Sequence, residues 1–483
     1  MSLKSIKKKC IIALAIYILI AVLFYFVGGE QLHFRDISVE MLAPSTIVGE
    51  ITKDTVVTQN TAIEGEMLSS LAFRAATYAR QNSGVLVVEV LSPNGEVSAK
   101  QNIDISTLTD GGVFTAVFSP AAKIAGGKAQ IRITAPDSKP GNAVTLYCGN
   151  AVSTARNQVA VSLDESEKAH VNGSAQSGAL CMEIHSRESL SFGTYYPYYA
   201  ALGFLLLAAY CAYLIARFKK GKQTAVLYLS ESLSKYRYLM KQLVSRDFKT
   251  KYKRSVLGVL WSFLNPLLIM LVQYIVFSTL FKSDIPNFAV YLLIGIVCFS
   301  FFNEATTMSL SSIVGNASLI TKVHVPKFIY PLTRVLSSTI NFALSHIPLF
   351  AVLLITRTPI RPAILLLPFG VICLFALSLG IGLLLASAMV FFRDTQFLWG
   401  VISMLWMYAT PIFYPESIIS GKFITLFKMN PLYHIIRFIR VILLDGVSPE
   451  PKAYLLALIA SVVPLIIGTV VFKKTQDRFV LNI

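Results

Sequence analysis

Hydrophobic and polar positions divide this chain into regions of three different rhythms. Cys10 to Val27 is an unbroken apolar run behind the basic stretch KSIKKK, and Tyr198 to Ala216 is a second run that leads into ARFKKGK. Six further runs follow, near Val256–Phe281, Phe288–Ile313, Pro331–Ile355, Ala363–Phe391, Phe397–Phe413 and Tyr454–Phe472. About 20 apolar residues cross a bilayer as a helix, so the pattern predicts eight spans. The first is read as an uncleaved anchor, because the run is long for a signal peptide and no small-x-small cleavage site follows it.

The residues between the first two runs have a different period. GVLVVEVL (84–91), KAQIRITA (128–135), AVTLYC (143–148), QVAVSL (158–163) and ALCMEIH (179–185) are short, apolar or alternating, and rich in β-branched residues. Turn signals such as SPNGE and PDSKPGN punctuate them, which predicts an all-β, jelly-roll-like sandwich over 28–195.

Residues 224–245 show a third rhythm. Leu229, Leu233, Tyr236, Met240 and Leu243 recur every three or four positions with Lys235, Arg237 and Lys241 between them. That is an amphipathic helix, too polar to span, lying along a membrane face. After Phe413 the chain is half apolar but broken by Pro415, Gly421 and Pro431. Short helices that dip in and return fit 414–445 best. The resulting domains are 1–27, 28–195, 196–220, 221–255 and 256–483.

Charge gives these regions sides. Only 14% of the 483 residues are charged, well below the roughly 25% of soluble domains. Residues 28–195 carry 12 Lys and Arg against 17 Asp and Glu, a net −5, which leaves +22 for the remainder. The basic residues flank apolar runs, which suits an anionic cytoplasmic leaflet rather than nucleic acid. Both termini are therefore expected on the cytosolic side of the membrane, and 28–195 outside. Tyr195, Tyr196, Tyr198 and Tyr199 stand where an outer aromatic belt belongs. Of six cysteines, Cys148 and Cys181 fall in the sandwich and are a candidate disulfide pair, with two separate buried thiols an equal alternative. No spacing suggests a metal site.

Several longer stretches occur together in a recognisable order. They are RDFKTKYKRSVLGVLWSFLNPLLIMLVQYIVFSTLF (246–281), NASLITKVHVPKFIYPL (316–332), FFRDTQFLWGVISMLWMYATPIFYP (391–415) and MNPLYHIIRFIRVILLDG (429–446), with the ending VVFKKTQDRFVLNI. The chain from 224 to 483 resembles the permease subunits of ABC transporters that export O-antigen polysaccharide and wall teichoic acid. The sandwich and the two N-terminal spans depart from that six-span pattern.

The resemblance implies a homodimer that forms a channel for a lipid-linked polymer, powered by two copies of a separate ATPase subunit that binds ATP and Mg. This chain lacks the Gly-x-x-x-x-Gly-Lys-[Ser/Thr] phosphate loop, so no cofactor is expected on it. The resemblance also implies a coupling helix within 316–327. Leu319, Ile320 and Val323 would anchor it in the ATPase, with Lys322 and His324 at its rim. Lys249, Lys251, Lys253 and Arg254, with the Leu257-Gly258 pair, would form a substrate entrance where cations meet a phosphate. Trp261, Tyr274, Phe277, Trp399, Trp406, Tyr408, Phe413 and Tyr414 would line the channel, flat rings giving a sliding sugar contact without fixed hydrogen bonds. Glu304, an acid at membrane depth, is expected to line a cavity or pair with a cation, Arg334 being the candidate. His346 reads as a satisfied core residue.

Three other functions compete: a membrane enzyme of envelope glycan assembly, an exporter of small lipids or drugs, and an anchored adhesin or sensor. An enzyme of that kind needs paired carboxylates at the membrane surface. Outside 28–195 the chain has nine acids and no paired motif.

Overall fold

A computed structural model describes residues 3–153, 158–161, 163–253, 255–280, 287–416 and 421–482. The chain forms two compact units: Met1–Gln31 with Tyr195–Ile483, and Leu32–Thr194.

The first unit is helical. Its helices are α1 (Leu3–Gly28), α2 (Ser191–Lys219), α3 (Ala225–Lys235), α4 (Arg237–Tyr252), α5 (Trp261–Leu280), α6 (Phe288–Leu310) and α7 (Ala317–Lys322), followed by α8 (Ile329–Ile355), α9 (Leu367–Phe391), α10 (Thr395–Tyr408), α11 (Gly421–Lys428), α12 (Pro431–Arg440) and α13 (Pro451–Thr475). Among the described residues seven are long and apolar enough to cross a membrane: α1, α2, α5, α6, α8, α9 and α13. The expected span at Phe397–Phe413 contains a shorter helix than the other spans. Helix α10 has 14 residues, about 21 Å at 1.5 Å per residue, against a hydrocarbon core of about 30 Å. It stops at Tyr408 because Pro411 has no amide hydrogen to continue the ladder.

Helix α6 is the hub of this unit. Seventeen of its 23 residues are buried, among them Leu293, Phe301 and Phe302, and the core they start continues through Leu374 and Leu377 of α9, Phe342 of α8 and Phe438 of α12. The amphipathic segment is two helices rather than one, broken at Tyr236. Leu243 is buried against the chain while Leu229 is exposed.

The second unit is a sandwich of antiparallel sheets, not a closed barrel. Its strands are β1 (Phe34–Val39), β2 (Thr46–Ile47), β3 (Val56–Ala62), β4 (Met67–Ala76), β5 (Val85–Leu91), β6 (Val97–Asp104), β7 (Val113–Lys123) and β8 (Lys128–Thr134). They continue with β9 (Thr145–Gly149), β10 (Ala151–Ser153), β11 (Gln158–Ala160), β12 (His170–Val171), β13 (Ser174–Ala175), β14 (Ala179–Leu180) and β15 (Met182–Ser189). One sheet runs β1-β15-β4-β9-β14, with β7 also on β4 and β2 on β9; the other runs β13-β12-β3-β8-β5-β6. Alternate residues of both sheets, including Leu71, Phe73, Val88, Ile131, Ile133 and Ile184, fill the core. Cys148 and Cys181 are free buried thiols in this structure. Burial pushes Cys148 up to about 12 and Cys181 up to about 11, so neither is a thiolate near neutral pH.

Candidate functional site: a charged cavity beneath the helical core

The residues of α4 that follow its mid-point repeat in two registers. Arg246, Asp247, Thr250 and Lys251 fall on one side of the helix, at i, i+1, i+4 and i+5. With Glu304 and Met308 of α6, Gly315 and Arg334 of α8 they line a cavity of about 560 Å³. Met240, Lys241, Val244, Ser245 and Phe248 fall on another side. With Leu336, Thr339, Ile340 and Ala343 of α8 they line a separate, mainly apolar groove of about 760 Å³. Helix α4 thus divides a charged compartment from an apolar one.

The charged compartment is organised by two carboxylates. Asp247 is only 3% exposed; its Oδ1 accepts from Arg334 at 2.9 Å and from Arg246 at 3.2 Å. Arg246 also donates to Asn316 Oδ1 at 3.3 Å, and the Asn316 amide donates to the Ser312 carbonyl at 2.7 Å. Asn316 immediately precedes α7, so α4, α7 and α8 are joined through one buried acid.

One turn further along α4, Lys251 Nζ meets Glu304 Oε1 at 2.9 Å. Asn341 donates to the same oxygen at 2.7 Å and accepts from Tyr252 at 3.0 Å. Tyr252 in turn bonds Ser262 at the start of α5. The partner of Glu304 is therefore Lys251 and not Arg334. A span acid was legible as paired, but a cation 53 positions away in sequence carries no local signal.

The remaining expected entrance residues lie near but not in this cavity. Lys249 and Lys253 are exposed, and Arg254 lies outside the described residues. Gly258 has φ +52, a left-handed conformation that L side chains adopt only with strain, so the turn into α5 needs glycine there. Beside it Leu257 is exposed and Val256 fully so.

Lys322 at the end of α7 and Val323 and His324 just after it are open to solvent, with Val323 46% exposed. Leu319 is half-buried. Ile320 is corrected as an anchor: it is turned inward, into a cluster with Leu243, Tyr330 and Phe479. The loop after α7 is fastened by Tyr236, which donates to the His324 carbonyl at 3.1 Å, and by Lys327, which donates to the Gln476 carbonyl at 2.6 Å.

The aromatic set divides. Trp261, Tyr274 and Tyr408 are exposed on this single chain. Phe277, Trp406 and Tyr414 are half-buried and pack against the core. Trp399 and Phe413 are buried in their own chain, which corrects their placement on a channel wall. Trp399 packs edge-on against Phe302 and Trp406, and Phe413 stacks on Phe277 at 5.8 Å. Trp406 Nε1 donates to Asn430 Oδ1 at 2.7 Å, and Asn430 caps α12, so this ring holds the returning helix rather than a free surface. His346 Nδ1 donates to the Phe342 carbonyl, 2.8 Å away, as a satisfied core residue does.

Sequence reasoning missed a second polar centre. Arg440, the last residue of α12, is buried; Nη1 donates to the Pro411 carbonyl at 2.7 Å, and Nη2 to the carbonyls of Tyr291 and Ile412, each at 3.2 Å. Its guanidinium lies 3.4 Å from the centre of the Tyr291 ring, and the Tyr291 hydroxyl donates to the Tyr414 carbonyl at 2.9 Å. A Cβ on Gly295 would meet Arg440 and Ile412 at 2.9 Å, so the close approach requires glycine. The available signal was spacing: Arg440 follows Leu432 and Ile436 at intervals of four, on the buried face of α12.

The sequence of this helical unit is similar to those of known proteins. The family model for ABC-2 type transporters matches residues 238–444. The O-antigen export system permease protein RfbA of Klebsiella pneumoniae is 30% identical over 243 residues, 50% of this chain and 93% of that protein. RfbA of Myxococcus xanthus is 30% identical over 259 residues, covering 53% of this chain and 99% of the relative. The polysialic acid transport protein KpsM of Escherichia coli is 22% identical over 243 residues, 50% and 94% of the two chains. The chain belongs to the ABC-2 type transporter permeases. It is a multi-pass membrane permease and not an enzyme, and the β-sandwich is an addition to the part its relatives share.

Proposed function

We propose that this chain is the membrane-spanning subunit of an ATP-driven exporter that carries a lipid-linked polysaccharide across the bacterial cytoplasmic membrane. It works as a homodimer with two copies of a separate ATPase. The observation that carries this reading is the match to O-antigen export permeases over nearly their whole length. The two compartments of α4 support it chemically. A phosphate suits the side lined by Arg246, Lys251 and Arg334, and an isoprenoid or acyl chain suits the apolar groove behind it. Lys249, Lys253 and Leu257 lead toward them. Trp261, Tyr274 and Tyr408, exposed on one copy, supply rings for the wall shared by two copies.

Deletion of the gene tests this reading: surface polysaccharide should vanish and lipid-linked polymer should accumulate inside. Polymer at normal surface level would overturn it. The purified chain should also hydrolyse no ATP until the ATPase subunit is added; turnover by this chain alone would contradict the division of labour.

The segment Ala317–His324 is the docking lever for the ATPase. Val323→Asp places an unpaired carboxylate in an apolar contact, at a cost of several kcal/mol. Export should fall at least tenfold while the chain still inserts and dimerises, because Val323 is exposed and supports no packing of its own chain. Pull-down of the ATPase and blotting of surface polymer read the two effects separately; unchanged export with an intact complex removes this segment from coupling.

Both termini are cytosolic in this reading and 28–195 faces outward, as the net −5 of that segment and the basic flanks of α1 and α2 favour. Seven long spans alone would put the termini on opposite sides, so α10 with Ala409–Tyr414 must complete an eighth crossing. Protease added to intact spheroplasts should cleave within 28–195; cleavage only after lysis would reverse the topology.

A further inference from the structure

The sandwich carries a hollow of its own. It lies on the outer face of the β1-β15-β4 sheet and encloses about 450 Å³, within the roughly 300–1,000 Å³ range of small-ligand sites. Strand register fixes what faces it. Ser38 of β1 lies opposite His185 of β15, and His185 lies opposite Ser70 of β4. One step along the strands, Asp36 lies opposite Arg187, and the two side chains pair at 2.8 Å. On the other side His185 Nε2 stands 3.5 Å from Glu183.

The concavity has a cause in the backbone. Ser69 is an extra residue in β4: the pairing skips it toward both neighbours, from Leu68 to Ser70. Such a bulge bends and twists the strand and re-aims side chains. Its hydroxyl donates to the His185 carbonyl at 2.8 Å, which fixes the kink beneath the hollow.

The chemistry of the lining selects a ligand. Serine hydroxyls, an imidazole, a carboxylate and a guanidinium offer both donors and acceptors at close spacing. Asp36 balances Arg187, and Glu183 adds a negative charge beside His185, so a phosphate or another anion is disfavoured. Ile37 is one apolar residue among eight in the lining, too little wall for a lipid tail. A peptide strand would add along the free edge of β1, whereas His185 and Ser70 stand on strands inside the sheet. The ligand that matches is a run of hydroxyl groups.

We infer that this hollow binds a short stretch of glycan, with Ser38, Ser70 and His185 as its hydrogen-bonding floor and the Asp36–Arg187 pair at one wall. The choice of glycan rests on the proposed function: it is the polymer that this chain exports, met on the side where the sandwich stands in that topology.

The test uses the full chain in lipid nanodiscs. The probe is surface polysaccharide whose appearance depends on this gene, cut to short fluorescent oligosaccharides. Wild type should bind saturably, and Ser70→Trp, which fills the hollow, should weaken binding at least tenfold with an unchanged melting curve. Val97→Trp, an exposed position on β6 of the other sheet, should bind as wild type. Absence of saturable binding by wild type, or wild-type affinity in Ser70→Trp, overturns the inference. If surface polysaccharide persists after deletion of the gene, the functional reading itself falls. If it vanishes but does not bind, the sandwich inference falls alone.

Discussion

Asp247→Ala is expected to strip the assembled transporter from the membrane almost completely. The carboxylate is nearly inaccessible and holds Arg334, whose side chain is 19% exposed. Removing one partner of a buried pair leaves an uncompensated charge and costs about 3–5 kcal/mol. The Arg246 side of the pair is half in solvent and adds little. The thermal midpoint in detergent should fall sharply. A double substitution, Asp247→Leu with Arg334→Met, should recover most of it, because apolar replacement of both partners is often near neutral. Export should stay low in that recovered variant, since the ion pair that ties α8 to α4, the helix that holds Asn316 through Arg246, is gone. A double variant that exports normally would make the network a matter of stability alone.

Arg440→Met is the second large effect. The side chain satisfies three buried carbonyls, those of Pro411 and Ile412 in the bend after α10 and that of Tyr291 in α6. Each buried group left without a partner costs about 1–3 kcal/mol. The stack on Tyr291 is lost as well. The α11–α12 return should come loose and become a protease target, with a lower melting point. Arg440→Lys should be intermediate, because an ammonium has no planar fork for three carbonyls and a ring. A melting curve for Arg440→Met within a degree or two of wild type would mean that the return is held by apolar packing alone.

Both residues illustrate what hydropathy reveals and what it hides. Seven spans were legible, because a run of apolar residues has few alternatives to crossing lipid. The run at 397–413 is long enough in composition, but Pro411 ends its helix early, which composition does not show. Strands such as β5 and β8 were visible through their β-branched alternation. Strand β4, central to its sheet, was not, because Ser69, Ser70 and Arg74 break the pattern and the bulge shifts its phase. The coupling segment is expected from the resemblance, and only the fold separates exposed Val323 from inward Ile320. The cavity was half found: Lys251 and Glu304 were named, but their pairing is a tertiary fact. Asp247 sat unremarked in a basic stretch whose charge suggested only headgroups.

The pairing of β1 with β15, Phe34 opposite Ser189, has a consequence for the order of events in synthesis. Paired strands lie about 4.8 Å apart, so the sandwich begins and ends at nearly one point. That geometry lets a domain be spliced into a chain between two helices without moving either of them. It also means that the first strand made waits for the last. Until Met182–Ser189 has left the ribosome, β1 has no neighbour in its sheet, and β4 lacks the strand that joins it to β1. The sandwich therefore closes late, and all at once, when α2 is the next element to be made. A stop codon or a stalled ribosome anywhere before residue 182 leaves not a smaller sandwich but an open one.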